Sequence, residues 1–200
     1  MKVAVFISGR GSNLKAILEA EGRNELGKAE IALVVTNNPI AGGLKHAENY
    51  DKKIVILDSK NFTDKDEYDN ELKQLMVKNE IELIVLAGYM RILTTSFVDY
   101  FEKKIINIHP SLLPAFPGLD VHEKVLDYGV KFSGCTVHFV NTEIDAGPII
   151  SQEVVEVLDD DSPETLAERI LAEEHKLLPR VIKNISESKI IMINRKVRIL

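Results

Sequence analysis

The sequence contains a single cysteine, Cys135, and no tryptophan. One cysteine cannot form an internal disulfide or a cysteine metal cluster, which is typical of a reducing compartment. No apolar run approaches the roughly 20 residues of a membrane span, and the N-terminus shows no signal-peptide cleavage pattern. Basic residues are outnumbered, because 25 Lys and Arg stand against 31 Asp and Glu, a formal net charge of -6. These absences predict a cytoplasmic protein with no membrane segment and disfavour nucleic acid as the main partner.

The first half of the chain alternates short β-branched runs with amphipathic helical patterns. Strands are predicted over 3–8, 30–36, 53–57, 81–87 and 104–108, with helices between them. Near-continuous apolar strands separated by helices are typical of a parallel sheet covered on both faces. Two further strands, 134–140 and 148–157, are joined by a loop rather than a helix. The sequence therefore predicts a doubly wound α/β fold, mostly parallel, with antiparallel edge strands in the C-terminal half.

No linker or internal repeat divides the chain, so one domain over 1–200 is expected. Residues 1–108 form its predicted phosphate-binding half, and residues 109–200 add the edge strands and a long C-terminal helix. Ser162 and Pro163 are typical of the start of that helix. Pro179 predicts a kink or break within it. The last residues alternate around Asn194 and Arg195, which predicts a terminal hairpin.

The segment VFISGRGSNLKAI, residues 5–17, reads as a strand, a glycine-rich turn and a helix. The free N–H groups and dipole of a helix N-terminus favour an anion, and Gly9 and Gly11 allow the backbone close to it. Ser12 and Asn13 can donate hydrogen bonds to a ligand or simply cap the helix. Leu14 replaces the third glycine of the dinucleotide fingerprint, and no G-K-[ST] follows, so NAD and triphosphates are disfavoured. A single phosphate monoester fits better, although a plain capped turn has the same sequence.

Asn107 and His109 end the fifth predicted strand and, being two apart, share one face of it. Ligands of open α/β sheets bind at the carboxyl ends of strands. An amide and an imidazole there are suited to oxyanion stabilisation and general acid–base work. The alternative is that both side chains hydrogen-bond the following proline-rich loop.

Several other polar residues are weaker candidates. Asp145 precedes a turn and becomes functional only if its carboxylate reaches His109, whose pKa it would then raise. His138 should lie opposite Val137 and Phe139, where a structural role is expected. His122 follows the proline loop and is a candidate to line the site. Their spacing matches no zinc pattern, so no metal site is predicted. Charged residues on the long helix, Glu174 among them, are expected to be solvated.

Taken together, these segments are similar to the folate-dependent phosphoribosylglycinamide formyltransferases. The resemblance runs from residue 2 to about residue 182 and is carried by ISGRGSNL, LAGYMRIL, NIHPSLLPAFPG, and TVHFV followed by DAGPII. It implies a formyltransferase-like Rossmann variant that transfers a formyl group from 10-formyltetrahydrofolate to glycinamide ribonucleotide (GAR) in purine synthesis. No metal and no NAD would be needed, and a monomer or a homodimer is compatible with the sequence.

The resemblance also implies a role for each matching residue. Asn107, His109 and Asp145 would be catalytic, while Gly11, Ser12, Asn13 and Glu174 would bind GAR. The folate pocket would be formed by residues from four segments: Lys65, Met90, Arg91, Ile92, Leu93, Asn107, Glu143, Ile144 and Asp145. Lys65 stands where relatives carry Arg, so the planar fork for a carboxylate is lost there. Asp120 stands where some relatives carry His.

Three other functions remain open from the sequence. A formyltetrahydrofolate deformylase would use water as the acceptor, but that family carries an additional N-terminal regulatory domain. A methionyl-tRNA formyltransferase usually carries an additional C-terminal domain, which the last residues are too few to replace. A non-catalytic phosphate-binding module would account for the glycine-rich turn. It would leave Asn107, His109 and Asp145 without a reason to lie at predicted strand ends and edge loops.

Overall fold

The computed structural model describes residues 1–200. Its strands are β1 Lys2–Ile7, β2 Glu30–Thr36, β3 Ile54–Ile56, β4 Leu83–Leu86, β5 Ile105–His109, β6 Phe132–Phe139, β7 Ile149–Glu156, β8 Ile190–Ile193 and β9 Lys196–Ile199. Its helices are α1 Ser12–Gly22, α2 Leu44–Asn49, α3 Lys65–Lys78, α4 Thr95–Tyr100, α5 Val121–Tyr128 and α6 Pro163–Ser186. No helix combines the length and the apolar character needed to span a membrane.

Seven strands form one sheet in the order β3-β2-β1-β4-β5-β6-β7. The first five are parallel, and β6 and β7 are antiparallel to their neighbours. This arrangement confirms the predicted doubly wound fold and its antiparallel edge. The strand order reverses between β1 and β4, and a crevice opens outside the carboxyl ends of strands at such a point.

The sheet is buried on both faces because its central strands alternate two sets of apolar side chains. In β1, Val3, Val5 and Ile7 belong to a cluster of 29 buried residues that also contains the inner faces of α1, α5 and α6. Ala4 and Phe6 point the other way, into a cluster of 15 buried residues shared with α3 and α4. The central strands therefore pack on both faces, and this packing fixes the positions of their carboxyl ends.

Helix α6 starts as expected but does not break. The Ser162 hydroxyl accepts a hydrogen bond from the Thr165 N–H, and the Thr165 side chain accepts one from the Ser162 N–H, a capping box. The helix continues through Pro179 to Ser186, so of the predicted kink or break the break does not occur. Buried residues on both sides of Pro179 pack against the core, and this packing offsets the hydrogen bond that proline removes.

The terminal hairpin is confirmed as the antiparallel pair β8 and β9. Partly buried side chains of Ile190, Met192 and Val197 pack against the larger core cluster. At its turn, an Nη2 hydrogen of Arg195 is donated to the carbonyl oxygen of Ala146 at 2.7 Å. The end of the chain therefore contacts the loop that precedes β7.

Candidate functional site

A cavity of about 720 Å³ opens at the carboxyl ends of β4 and β5. This volume is within the usual range for a small-molecule site. The cavity is lined by nearly all of the residues predicted for catalysis and for the folate pocket: Met90, Arg91, Ile92, Leu93, Asn107, His109, Glu143, Ile144 and Asp145. These segments are far apart in sequence, and the sheet topology brings them together.

Asn107 and His109 share one face of β5, as the period of two predicts. Ile106 and Ile108, which alternate with them, point into the larger core cluster on the opposite face. The neighbouring antiparallel strand β6 places His138 opposite Asn107 and Thr136 opposite His109. Three polar side chains from two strands, Asn107, His109 and His138, therefore form the floor of the site.

Asp145 lies in the loop before β7, and its carboxylate contacts both Asn107 and His109 of β5. Its Oδ2 is 3.3 Å from Nδ1 of His109 and accepts a 2.8 Å hydrogen bond from the Gly118 N–H. Its Oδ1 is 3.5 Å from Nδ2 of Asn107. Burial alone would raise the pKa of Asp145. The nearby His138 ring, the hydrogen bond from the Gly118 N–H and the charge of His109 outweigh that effect, so the pKa of Asp145 is lowered and the carboxylate stays ionised.

The pKa of His109 is shifted opposite to the expectation from the sequence. Burial lowers this pKa, and the Phe116 carbonyl and the Asp145 carboxylate only partly reverse the shift. The predicted contact with Asp145 exists, but burial is the larger effect. Nε2 of His109 lies 2.9 Å from the Phe116 carbonyl oxygen, so both ring nitrogens face acceptors. Only the doubly protonated ring carries a hydrogen on both nitrogens and so matches both acceptors.

His138 lines the cavity, although its alternation with Val137 and Phe139 predicts a structural role. Its side chain is buried, its Nε2 lies 3.3 Å from Nδ2 of Asn107, and Nε2 lies 3.7 Å from Oδ1 of Asp145. The alternation with Val137 and Phe139 correctly predicted the face of the strand. The missing information was that β6 pairs with β5, which makes this the face that carries Asn107.

The proline-rich loop after β5 is fastened to β6 and β7. The Thr136 hydroxyl donates to the Ser111 carbonyl at 2.6 Å and accepts from the Leu113 N–H at 3.1 Å. The Gln152 amide donates to the Leu113 carbonyl at 2.9 Å. This network holds in place the two backbone groups of the loop that touch the site, the Phe116 carbonyl and the Gly118 N–H.

The glycine-rich turn between β1 and α1 forms a second polar site at the end of β1. Gly11 is the N-cap residue of α1, has φ 72°, and provides no side-chain cap, so the first turn of the helix keeps free N–H donors. A Cβ on Gly11 would lie 2.5 Å from Cα of Gly43, so two backbones meet there. The turn is also held by a 3.0 Å hydrogen bond from the Gly43 N–H to the Gly9 carbonyl.

Asn13 and Glu174, which the resemblance assigns to one substrate, meet beside this turn. The Asn13 amide donates to Oε2 of Glu174 at 2.7 Å, while Oδ1 of Asn13 is buried without a partner. Glu174 is 6% exposed, so the expectation of a solvated residue on α6 is wrong. Burial raises its pKa to about 6, against the opposing effect of the Asn13 hydrogen bond. The helical period could have shown this, because Glu174 falls in register with the buried Ile170, Leu177 and Leu178. Ser12, beside Asn13, is half-buried.

The two polar sites are joined through Ser8, which the sequence analysis did not single out. The Ser8 hydroxyl donates to Oδ1 of Asn37 at 2.5 Å and accepts from the Met90 N–H at 2.8 Å. Its own N–H donates to the Gly88 carbonyl at 3.1 Å. The end of β1 and the start of the 90–93 segment are therefore tied together.

Two cationic residues expected near a folate occupy different positions. The Arg91 guanidinium lies over the Tyr68 ring, with Cζ 4.0 Å from the ring centroid, and its Nε is buried without a partner. Lys65, at the first turn of α3, does not line the cavity. It lines an adjoining hollow of about 700 Å³ that shares Ile92, Leu93 and Thr142 with the cavity.

His122 lines the cavity as expected, on the first turn of α5. Its Nδ1 is buried without a hydrogen-bond partner, and burial lowers its pKa. Asp120, just before it, is the N-cap residue of α5 and also lines the cavity. No three His, Cys, Asp or Glu side chains of the chain converge as metal ligands would.

Comparison with known proteins agrees with this architecture. The family model described as formyl transferase matches residues 1–182. A crystal structure of glycinamide ribonucleotide transformylase 1 from Symbiobacterium toebii is 40% identical, covers 100% of this chain and 94% of its own, and superposes with a TM-score of 0.96. A formyltetrahydrofolate deformylase from Pseudomonas syringae is 29% identical, with 100% of this chain and 65% of the other covered and a TM-score of 0.92.

Curated relatives include longer proteins. The trifunctional purine biosynthetic protein adenosine-3 of Gallus gallus is 43% identical over 95% of this chain, which spans only 19% of that protein. The chloroplastic phosphoribosylglycinamide formyltransferase of Arabidopsis thaliana is 38% identical over 94% of this chain and 66% of its own length. The chain belongs to the formyl transferase family and has the fold of the glycinamide ribonucleotide transformylases.

Proposed function

We propose that the protein transfers a formyl group from 10-formyltetrahydrofolate to the amine of GAR, giving formyl-GAR and tetrahydrofolate in purine biosynthesis. The observation that carries the proposal is the convergence of Asn107, His109 and Asp145 on the floor of a cavity beside an uncapped helix N-terminus. Relatives of this chain are described as glycinamide ribonucleotide transformylases and phosphoribosylglycinamide formyltransferases, which supports the same reaction.

GAR binds at the end of β1. Its ribose phosphate accepts hydrogen bonds from the first-turn N–H groups of α1 and from Ser12 and Asn13, while Gly11 lets the backbone approach closely. Glu174 accepts a hydrogen bond from the glycinamide part. The buried and unpaired Oδ1 of Asn13, beside Glu174, supports a ligand N–H at this point, because a buried acceptor without a donor is suited to a ligand that brings one.

The formyl donor binds in the cavity, with the 90–93 segment along one side and the loop at Glu143, Ile144 and Asp145 across it. Apolar side chains exposed at the cavity mouth, Met90, Ile92 and Ile144, are suited to cover a flat ring system. Lys65 in the adjoining hollow is placed to attract an acidic tail that extends beyond the cavity.

The amine nitrogen of GAR attacks the formyl carbon, a C–N bond forms, and the carbonyl electron pair moves onto oxygen. Asn107 donates a hydrogen bond to the resulting oxyanion. The C–N10 bond then breaks as the carbonyl reforms. One proton leaves the amine and one is delivered to N10, so the proton is conserved within the reaction.

His109 carries that proton between the two nitrogen atoms. Burial lowers the pKa of the resting ring, which favours its neutral form at neutral pH. Once the ring is protonated, it forms an ion pair with the Asp145 carboxylate, 3.3 Å from Nδ1, while Nε2 hydrogen-bonds the Phe116 carbonyl; the neutral ring lacks the ion pair. Protonation also places a positive charge next to the oxyanion. Both effects are gained only as the reaction proceeds, and such differential stabilisation raises kcat.

The test is an absorbance assay of 10-formyltetrahydrofolate consumption with and without GAR. Turnover that requires GAR, with formyl-GAR as product, is the expected result. No consumption under either condition would refute the proposal and favour a non-catalytic phosphate-binding role.

Deformylase activity is the second candidate, because the solved structure of a formyltetrahydrofolate deformylase has the same fold over the whole chain. Water would then attack the formyl carbon, and the same three side chains would serve. Consumption of the formyl donor at one rate with and without GAR, giving formate, would select this reaction.

A further inference from the structure

His138 is a buried, titratable residue in the site that the proposed reaction does not use. It is 2% exposed and lies on β6 directly opposite Asn107. Buried histidines need partners for both ring nitrogens, and those partners define the tautomer.

The hydrogen bonds of His138 fix which nitrogen carries the proton. Nδ1 lies 2.9 Å from the carbonyl oxygen of Phe139, which can only accept, so Nδ1 donates. In the neutral ring, Nε2 is then an acceptor, and it lies 3.3 Å from Nδ2 of Asn107. The ring therefore accepts a hydrogen bond from the amide of Asn107.

The same contacts exclude the reversed orientation of the Asn107 amide. If its oxygen and nitrogen were exchanged, the oxygen would face the Nε2 lone pair of His138 and the Oδ1 of Asp145. Three acceptors would then meet with no protein donor between them. The amide nitrogen must point towards His138 and Asp145.

We propose that His138 is a positioning residue that holds the Asn107 amide with its nitrogen towards the reacting oxygen. One N–H is fixed by His138, and the second, held in the empty site only by a 3.5 Å contact with Asp145, is left to bind the oxyanion. The inference rests on the proposed role of Asn107 as the oxyanion donor. The new element is Nε2 of His138, the acceptor that prevents the Asn107 amide from rotating.

The test compares His138→Gln with His138→Met in the full-length protein. The two side chains have similar length and volume, but Gln has an amide oxygen that can accept from Asn107 and Met has only a weak acceptor. We expect His138→Met to lower kcat about 10- to 100-fold, somewhat less than the loss of an oxyanion donor itself. KM for both substrates should change less than about threefold, and His138→Gln should recover most of kcat.

A double-mutant cycle with Asn107→Ala separates positioning from general damage. If His138 acts through Asn107, then His138→Met lowers kcat little further in the Asn107→Ala background. Equal losses in both backgrounds would overturn the proposal. So would a His138→Met variant as active as wild type, or one at least as active as His138→Gln.

The outcome is independent of which acceptor the enzyme uses. If the wild-type protein hydrolyses the formyl donor without GAR, the proposed transferase function fails, but the same variants are compared on hydrolysis. The tetrahedral oxyanion is common to both reactions, so the same ratio of His138→Gln to His138→Met is expected. If the wild-type protein turns over neither way, the proposed function of Asn107 and this inference both fall.

Discussion

At the residue scale, Glu174 is a carboxyl group that the fold buries without a positively charged partner, although its ionised form is more stable in water. A carboxyl group with 6% exposure and one neutral hydrogen-bond donor is less stable ionised than in water, and its pKa of about 6 reflects this. No other side chain compensates the charge. Glu174 therefore lowers the stability of the folded protein when ionised, and its position is better explained by a ligand that donates an N–H group to it.

Replacing this carboxyl should stabilise the empty protein at high pH. The folded pKa of Glu174, about 6, lies above its ordinary value of 4.5, so the folded state binds more protons between these values. Its contribution to stability is full below pH 4.5 and is lost as pH rises to about 6. Glu174→Gln does not titrate, so relative to wild type it should gain about 2 kcal/mol between pH 4 and pH 8.

Denaturant unfolding of both proteins at pH 4 and pH 8 measures this gain. Glu173→Gln is the matched control, because Glu173 precedes it on the same helix and forms a surface ion pair with Lys176 at 2.8 Å. A Glu174→Gln advantage that is the same at both pH values would contradict the assigned pKa. The variant should also bind GAR more weakly.

His109 should be the most sensitive single position for turnover. His109→Asn removes the group that carries the proton, and general acid–base catalysis contributes roughly 10²–10⁴-fold. We expect kcat to fall at least about 100-fold, with GAR affinity unchanged because the proposed phosphate site lies on β1 and α1. Steady-state kinetics and calorimetric binding of GAR check the two halves of this prediction. Turnover near the wild-type level would remove His109 from the mechanism.

Asp145 should control the pH at which His109 becomes protonated. The carboxylate raises the pKa of His109, so Asp145→Asn lowers it further below its ordinary value. If the neutral ring is the active form, the acidic limb of the kcat profile moves to lower pH in this variant while the maximum rate falls. A profile with an unshifted acidic limb would leave Asp145 as a turn residue only.

At the element scale, the turn between β1 and α1 depends on a close approach of two glycine backbones. A Cβ on Gly43 would lie 2.6 Å from Cδ1 of Ile7 and 2.9 Å from Cα of Gly11. A Cβ on the adjacent Gly42 would meet nothing nearer than 3.7 Å. The loop before α2 therefore tolerates a side chain at one position and not at the next.

This difference is directly testable. Gly43→Ala should displace the Gly11 turn, lower stability by about 1–3 kcal/mol and weaken GAR binding. Gly42→Ala should leave both near wild type. Thermal unfolding and GAR titration of the two variants measure these effects. Equal stability and equal GAR affinity in the two variants would mean that the turn accommodates a side chain at Gly43 at little cost.

The terminal hairpin should support the site from outside. Arg195 donates to the carbonyl of Ala146, the residue after Asp145, and one such hydrogen bond contributes about 1 kcal/mol. Arg195→Ala should therefore loosen this loop and lower kcat by at most about fivefold, the factor to which about 1 kcal/mol corresponds. Arg198→Ala, in the exposed part of the same hairpin, is the control and should have no effect. A matching loss in both variants would indicate general loosening of the hairpin.

At the scale of the whole molecule, local sequence patterns and long-range contacts differ in how far they could be predicted. Strand β2 has the predicted bounds, and the shared face of Asn107 and His109 follows from a period of two. The role of His138 depends on which strand lies beside β5, and Asn13 meets Glu174 across 161 positions of chain. Such pairings are properties of the assembled sheet and helices, and no local pattern contains them.

Pro179 and His109 show a second limit. A proline rule that holds for an isolated helix fails when both sides of the residue are packed into a core. Likewise, the contact between His109 and Asp145 was predicted, but the direction of the pKa shift was not, because the degree of burial is set by the whole fold. The motif therefore predicted that His109 and Asp145 lie close together, but it did not predict the net effect on the pKa of His109.

The exposed apolar mouth of the cavity has a consequence for handling the protein. Met90, Ile92, Leu119 and Ile144 line the cavity and are 67%, 62%, 69% and 60% exposed, so the rim presents apolar surface to neighbouring molecules. A ligand that covers this rim removes the exposed apolar side chains from contact with other molecules. Its binding also stabilises the native state, by about 2.7 kcal/mol at a ligand concentration one hundred times its Kd. Concentrated stocks should therefore remain clear longer, and resist heat better, when a folate analogue is kept in the buffer.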